Sequence, residues 1–236
     1  MSKKEEQQSK APKVLKIVPS KLEIGVQKLL YRTLGKYIPA SMTPNRITLL
    51  GALGGGVGII CGALSKISPF FLLGTIGGLI CHFICDDLDG YVARERNLSS
   101  TTGGYFDLLT DILHITYLII ALAFAGYISF PVAVFLVPVY ALIIFTAMNY
   151  ILYLREFLFP RLGPIETHLF FIAVCIAGIF CGQKPLFTMW SVQVSLPNLM
   201  CVVGGVAMYY EMIRLQVQLL RRLHKKDKMG KERHGE

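Results

Sequence analysis

The sequence predicts an all-α integral membrane protein with six transmembrane helices, preceded by an amphipathic helix that lies on the membrane surface. Of its 236 residues, 53% are hydrophobic and only 17% are charged, which is too apolar for a water-soluble domain of this size. Several apolar runs reach the length of about 20 residues that a helix needs to cross a bilayer. The predicted spans cover residues 47–65, 69–90, 105–127, 129–153, 165–183 and 196–218.

The positions of Lys and Arg predict a multi-pass protein with both termini in the cytoplasm. Ten of the 24 basic side chains lie at or before Arg46 and eight lie at or after Arg214. The predicted loops on the other side hold only Lys66 and Lys184. The net charge of +9 is therefore attributed to attraction to the membrane surface, and no nucleic-acid partner is expected.

Four segments follow from composition. Residues 1–19 are polar and predict a disordered tail, whereas residues 20–38 combine an apolar and a basic helical face, as an interfacial helix does. Residues 39–220 form the six-helix membrane domain, and residues 221–236 form a basic cytoplasmic tail. Glycines at a spacing of four in the first two spans predict close helix packing.

Acidic residues are concentrated in "CDDLDGYVARERNLSSTTGGYFDLLTD", residues 85–111, between and within two apolar spans. Asp86 and Asp89 are three apart and Asp107 and Asp111 four apart, so each pair shares a helical face, whereas Asp87 points about 100° away from Asp86. Four unpaired carboxylates deep in a membrane would cost about 10–14 kcal/mol.

The only nearby cations in the sequence are Arg94 and Arg96, which are too few to neutralise the acids. Oxygen ligands of this kind select hard divalent cations such as Mg²⁺, Mn²⁺ or Ca²⁺. The acidic cluster therefore predicts a metal site, and a metal site here indicates an anionic substrate. His82 and His114 lie on the same faces and are interpreted as packing residues.

The acids belong to a longer pattern. Asp86-x-x-Asp89-Gly90-x-x-Ala93-Arg94, followed by Gly103, Asp107 and Asp111, resembles the complete signature of the CDP-alcohol phosphotransferases. "PNRIT", residues 44–48, resembles the segment that opens the first helix of many members.

The resemblance implies a CDP-linked donor, an alcohol acceptor, release of CMP and two divalent cations, Mg²⁺ or Mn²⁺. Asp86, Asp89, Asp107 and Asp111 would bind metal, and Asp111 would also be the general base. Six residues would form the nucleotide site: Asn45, Thr48, Gly90, Ala93, Arg94 and Gly103. Together with the glycines, the family's habit also suggests a homodimer.

Three functions are weighed. The favoured one is transfer of a phosphatidyl group from CDP-diacylglycerol to a small alcohol, because short six-span chains resemble those members most. The second is transfer of phosphocholine or phosphoethanolamine from CDP-choline or CDP-ethanolamine to diacylglycerol, since "SST" and "GPIE" resemble those enzymes. The third, a divalent-cation channel or transporter, explains the acids but not the fixed glycines and Arg94.

The acceptor is expected to be a neutral or zwitterionic alcohol. Ile112 follows the last aspartate, where members that use phosphorylated or inositol-type acceptors often have Lys or Arg. Glu166, Arg155 and Arg161 lie in or after the cytoplasmic loop before the fifth span and are candidate acceptor contacts.

Overall fold

Six long apolar helices dominate the computed structural model, which describes residues 16–18, 21–158, 160–189 and 192–234. The predicted count of six candidate spans is confirmed. Their bounds in the structure are Pro44–Leu64, Phe71–Glu95, Thr101–Ala125, Phe130–Leu154, Pro164–Cys181 and Leu196–Lys228. An even number of spans places the two ends of this membrane domain on the same side.

Seven α-helices are present in the described residues, in the following order: α1 Lys21–Thr33, α2 Pro44–Leu64, α3 Phe71–Glu95, α4 Thr101–Ala125, α5 Phe130–Asn149, α6 Pro164–Cys181 and α7 Leu196–His234. A π-turn, Tyr150–Leu154, extends α5, and a 3₁₀ turn, Gly35–Tyr37, follows α1. Helices dominate because a backbone in lipid must satisfy its own hydrogen bonds.

Two small sheets complete the fold. Strand β1, Lys16–Val18, pairs in parallel with β2, Glu156–Leu158. The antiparallel strands β3, Pro185–Met189, and β4, Val192–Ser195, connect α6 to α7. Strand β1 lies in the tail for which the composition predicts disorder, and the rest of residues 1–19 lies outside the described residues. Helix α7 continues through the described part of the predicted basic tail.

Helix α2 packs closely against both α3 and α4, whereas α3 and α4 have little direct backbone contact. The backbones of α2 and α3 approach closely at Gly58 and Gly78: a Cβ on Gly58 would lie 2.9 Å from the Cα of Gly78, and one on Gly78 would lie 2.5 Å from the Cα of Gly58. Gly54 and Gly74 face Cys81 and Cys61 in the same helix pair. These glycines serve packing within one chain, so they no longer support a homodimer, which remains a prediction.

Helix α1 contacts α3 near its acidic end. The rings of Tyr31 and Tyr91 stack with their centroids 4.4 Å apart, and Gln27 donates a hydrogen bond of 3.0 Å to Asp87. Leu29 is 62% exposed, as an apolar residue at a membrane interface would be. The interfacial position of α1 remains a prediction, but its inner face forms part of the wall around the acids.

Candidate active site between the third and fourth helices

The acidic ends of α3 and α4 are fixed by their loops. Ser100 precedes α4, and its Oγ accepts a hydrogen bond of 3.0 Å from the backbone N–H of Gly103. Arg96, at the end of α3, donates to the backbone carbonyls of four residues before α2: Ile38, Pro39, Ala40 and Met42. Arg96 therefore ties the α3–α4 connection to the segment before α2. All four acceptors of these hydrogen bonds are backbone carbonyls, and none is an acidic side chain.

Three of the predicted metal ligands converge between α3 and α4. One carboxylate oxygen from each of Asp86, Asp107 and Asp111 lies within 4.8 Å of one from each of the others. Among the described residues, Oδ1 of Asp107 and Oδ1 of Asp111 are buried and have no hydrogen-bond partner. Buried carboxylate oxygens without donors are costly, so this donor set fits hard divalent cations.

Asp89 and Asp87 each have one protein partner, although Oδ2 of Asp87 is also buried without a hydrogen-bond partner among the described residues. The hydroxyl of Thr48 donates a hydrogen bond to the Asp89 carboxylate, and Gln27 donates to Asp87. Asp89 is 5% exposed and lies beside the group of three, whereas Asp87 faces α1. Asp87 nevertheless lines the same cavity as the other acids.

A cavity of about 240 Å³, here called the acidic cavity, lies in front of the carboxylates. Its walls combine α1, α3, α4, α5 and the segment before α6. Among the described residues of this lining, Arg94 is the only Lys or Arg, and its guanidinium donates a hydrogen bond of 2.9 Å to the hydroxyl of Tyr31. One cation among five carboxylates leaves the cavity strongly negative, which is the environment that divalent cations compensate.

A second cavity of about 160 Å³, the side cavity, shares four lining residues with the acidic cavity: Asp89, Gly90, Arg94 and Asp107. All six residues expected to bind the nucleotide line it: Asn45, Thr48, Gly90, Ala93, Arg94 and Gly103. A Cβ on Gly103 would lie 3.0 Å from Oδ1 of Asn45, and one on Gly90 would lie 3.2 Å from the Arg94 guanidinium. Glycine therefore keeps the wall of the side cavity open.

A third cavity of about 520 Å³, the apolar cavity, is lined by α4 to α7. Tyr140 and Leu162 line both this cavity and the acidic cavity. It extends from Glu166 at the start of α6 to Leu196 at the start of α7. Because α6 and α7 are successive spans, these two ends approach opposite faces of the membrane.

The candidate acceptor contacts do not gather at the acids. Glu166 lines the apolar cavity, and its Oε2 accepts a hydrogen bond of 3.0 Å from the N–H of Gly163. Arg155 and Arg161 are exposed, and neither lines the acidic cavity. The backbone N–H of Arg161 donates to Glu211 on α7.

Three residues of the site were missed from the sequence: Gln27, Tyr31 and Tyr140. Gln27 and Tyr31 lie more than 50 residues before the acids, and only the docking of α1 brings them close. Tyr140 is 4% exposed, and within the described residues its hydroxyl has no hydrogen-bond partner. A tyrosine in an apolar span gives no sequence signal that distinguishes it from a packing residue.

We expect purified protein to bind Mn²⁺ through the convergent acids, and Asp86→Asn or Asp107→Asn to weaken that binding by about tenfold or more, because each removes an anionic ligand. Electron paramagnetic resonance of free Mn²⁺ measures the affinity. Asp227→Asn, an exposed acid on α7, is the control and should bind normally. Equal Mn²⁺ affinity in all four proteins would show that the acids do not bind metal.

The chain was compared with known proteins and with models of protein families. No curated protein matches the chain significantly. The family described as CDP-alcohol phosphatidyltransferase matches residues 41–214, which is well over half of the chain. The matched region includes the four predicted metal ligands and the six residues expected to bind the nucleotide. With its six apolar helices and its acidic site between α3 and α4, the chain belongs to the CDP-alcohol phosphatidyltransferase family.

Proposed function

We propose that the protein transfers a phosphatidyl group from CDP-diacylglycerol to a small, non-phosphorylated alcohol and releases CMP. Membership of the family implies CDP-alcohol phosphotransferase activity and phospholipid synthesis. The observation that carries the proposal is that the acidic cavity and the side cavity share four lining residues, Asp89, Gly90, Arg94 and Asp107, and are therefore adjacent. A cytidine nucleotide in the side cavity would place its diphosphate beside the carboxylates.

The acids have distinct proposed roles. Asp86, Asp89, Asp107 and Asp111 would hold two divalent cations, Mg²⁺ or Mn²⁺, which neutralise the diphosphate and the departing CMP. Thr48 holds the Asp89 carboxylate in place through its hydrogen bond. Arg94 lines both polar cavities and supplies a positive charge to a bound phosphate.

Asp111 is proposed as the general base. The acceptor hydroxyl oxygen forms a bond to the phosphorus on the lipid side, the P–O bond to CMP breaks, and the hydroxyl proton passes to the Asp111 carboxylate. Asp111 is 7% exposed, and its Oδ1 has no hydrogen-bond partner among the described residues. No described donor competes for this oxygen, which supports Asp111 as the acceptor of the hydroxyl proton in addition to its role as a metal ligand.

The apolar cavity is proposed to hold the diacylglycerol part of the lipid. It shares Tyr140 and Leu162 with the acidic cavity, so a glycerol backbone at that end would lie near the acids and acyl chains would extend along α6 and α7. The alternative function, transfer of phosphocholine or phosphoethanolamine to diacylglycerol, also uses this cavity. Glu166 on its wall favours that alternative, because a carboxylate there could contact the diacylglycerol hydroxyl.

The proposed acceptor lacks a phosphate. A phosphorylated acceptor carries about −1.5 to −2 charge and would need cationic partners near the acids. Ile112 supplies none, and the exposed Arg155 and Arg161 lie outside the lining of the acidic cavity. The cation channel has little support, since the acids are gathered at one end of two helices rather than along a path through the membrane.

The substrates are tested by CMP release from purified protein in liposomes. CDP-diacylglycerol, CDP-choline and CDP-ethanolamine are offered in turn with serine, inositol, an amino alcohol, glycerol 3-phosphate or diacylglycerol. We expect CDP-diacylglycerol to be the donor and an acceptor without phosphate to be used best. Turnover only with CDP-choline or CDP-ethanolamine and diacylglycerol would establish the alternative, and glycerol 3-phosphate as best acceptor would contradict the argument from Ile112. Cation flux without CMP release would establish the channel.

The general base is tested with Asp111→Asn, which we expect to lower kcat by a factor of about 10² or more while donor binding persists, because the amide cannot accept the hydroxyl proton. Steady-state CMP release measures kcat, and equilibrium binding of the CDP donor is measured separately. Asp87→Asn is the matched control: it is also buried and keeps an acceptor for Gln27, so its loss should be much smaller. A kcat for Asp111→Asn equal to that of the unaltered protein would remove Asp111 from this role.

A further inference from the structure

The guanidinium of Arg94 lies back along α3, where a tyrosine from another helix holds it. Arg94 comes one helical turn after Gly90, and a Cβ on Gly90 would lie 3.2 Å from Nη1 of Arg94. The missing side chain of Gly90 therefore makes room for the guanidinium. In this position Arg94 lines both the acidic cavity and the side cavity, and its Nη2 donates a hydrogen bond of 2.9 Å to the hydroxyl of Tyr31 on α1.

Most of the hydrogen-bonding capacity of Arg94 is unused by the protein. A guanidinium carries five N–H donors in one plane. The bond to Tyr31 occupies one of them, and within the described residues the guanidinium makes no other hydrogen bond and no ion pair. The remaining N–H groups are available to an anionic ligand between the two polar cavities.

Arg94 needs a restraint to stay in this position. Its side chain is exposed, and an exposed Arg side chain that is free to rotate has many rotamers to lose when it is ordered. The hydrogen bond to Tyr31 reduces that freedom before any ligand arrives. The hydroxyl of Tyr31 therefore fixes the direction in which the guanidinium points.

Tyr31 is itself fixed relative to α3. Its ring stacks on that of Tyr91, with centroids 4.4 Å apart and an angle of 25° between the ring planes. Gly35 gives Tyr91 the space for this stack, because a Cβ on Gly35 would lie 2.8 Å from Cε1 of the Tyr91 ring. One turn before Tyr31, Gln27 donates a hydrogen bond of 3.0 Å to Asp87. Helix α1 therefore presents the Tyr31 hydroxyl from a defined place.

We propose that Tyr31 positions the Arg94 guanidinium to bind a phosphate of the CDP-linked donor. This inference rests on the proposed nucleotide site in the side cavity. Arg binds phosphate oxygens through paired N–H groups, so the orientation of its plane affects affinity. A guanidinium that is already oriented loses less conformational entropy when the phosphate binds. Tyr31 acts through Arg94 and is a positioning residue.

The experiment measures equilibrium binding of CMP to the full chain in liposomes with excess Mg²⁺. CMP leaves in both candidate transfer reactions, so the result does not depend on which alcohol or lipid is used. Tyr31→Phe keeps the ring that stacks on Tyr91 and removes only the hydroxyl. We expect this change to weaken CMP binding by about three- to tenfold.

Tyr37→Phe is the matched control. Tyr37 lies in the turn after α1, is 73% exposed, and lines neither the acidic cavity nor the side cavity. Removal of its hydroxyl should leave CMP affinity as it is in the unaltered protein. Size-exclusion chromatography and Mn²⁺ binding at the acids check that each variant folds.

A double-mutant cycle separates positioning from a general effect on the fold. Arg94→Ala should weaken CMP binding by about tenfold or more, because a cation that meets the phosphate is lost. Tyr31→Phe combined with Arg94→Ala should bind CMP as Arg94→Ala alone does, since Tyr31 acts only through the guanidinium. Losses that multiply in the double variant would contradict the proposal.

Two further outcomes distinguish this inference from the proposed function. Equal CMP affinity in folded Tyr31→Phe and in the unaltered protein would overturn the role of Tyr31 and leave the nucleotide site intact. Absence of CMP binding to the unaltered protein would overturn the nucleotide site, and this inference with it.

Discussion

The mutual repulsion of carboxylates inside an apolar helical bundle is the constraint on which the rest of this structure depends. Asp86, Asp107 and Asp111 bring oxygens within 4.8 Å of one another, although like charges at that distance repel strongly away from water. The surrounding structure holds them there. Helix α2 packs against both acid-bearing helices through Gly58 and its neighbours, and Arg96 ties their connection to the start of α2. Because rigid packing holds these carboxylates together against their repulsion, a divalent cation bound between them would be stabilised and would attract an anionic substrate.

Local periodicity made much of this architecture predictable. Spacings of three and four residues placed Asp86 with Asp89 and Asp107 with Asp111, and apolar length gave the six spans, because both signals act within one helix. The six expected nucleotide contacts also line one cavity. Contacts between distant segments were not predictable: Gln27 with Asp87, Thr48 with Asp89, and His168 with two other rings depend on tertiary docking that no periodic pattern encodes. For the same reason Arg96, which was counted as a candidate partner of the acids, binds backbone carbonyls instead.

The three cavities differ in the polarity of their linings. The side cavity and the acidic cavity carry the charged and hydrogen-bonding groups, whereas the apolar cavity carries the hydrophobic lining, and Tyr140 lies on the boundary between the last two. A substrate with a nucleotide at one end and acyl chains at the other matches that division. The stacked rings of His82, His114 and His168 come from α3, α4 and α6, so aromatic packing also joins the two acid-bearing helices.

The central claim is that the converging carboxylates act through divalent cations on a CDP-linked substrate. Its most direct measurement is CMP release in liposomes before EDTA, after EDTA, and after Mg²⁺ or Mn²⁺ is added in excess of the chelator. The account predicts that EDTA abolishes CMP release and that either cation restores it, since the acids alone would repel the diphosphate. Full CMP release in the presence of the chelator would contradict it.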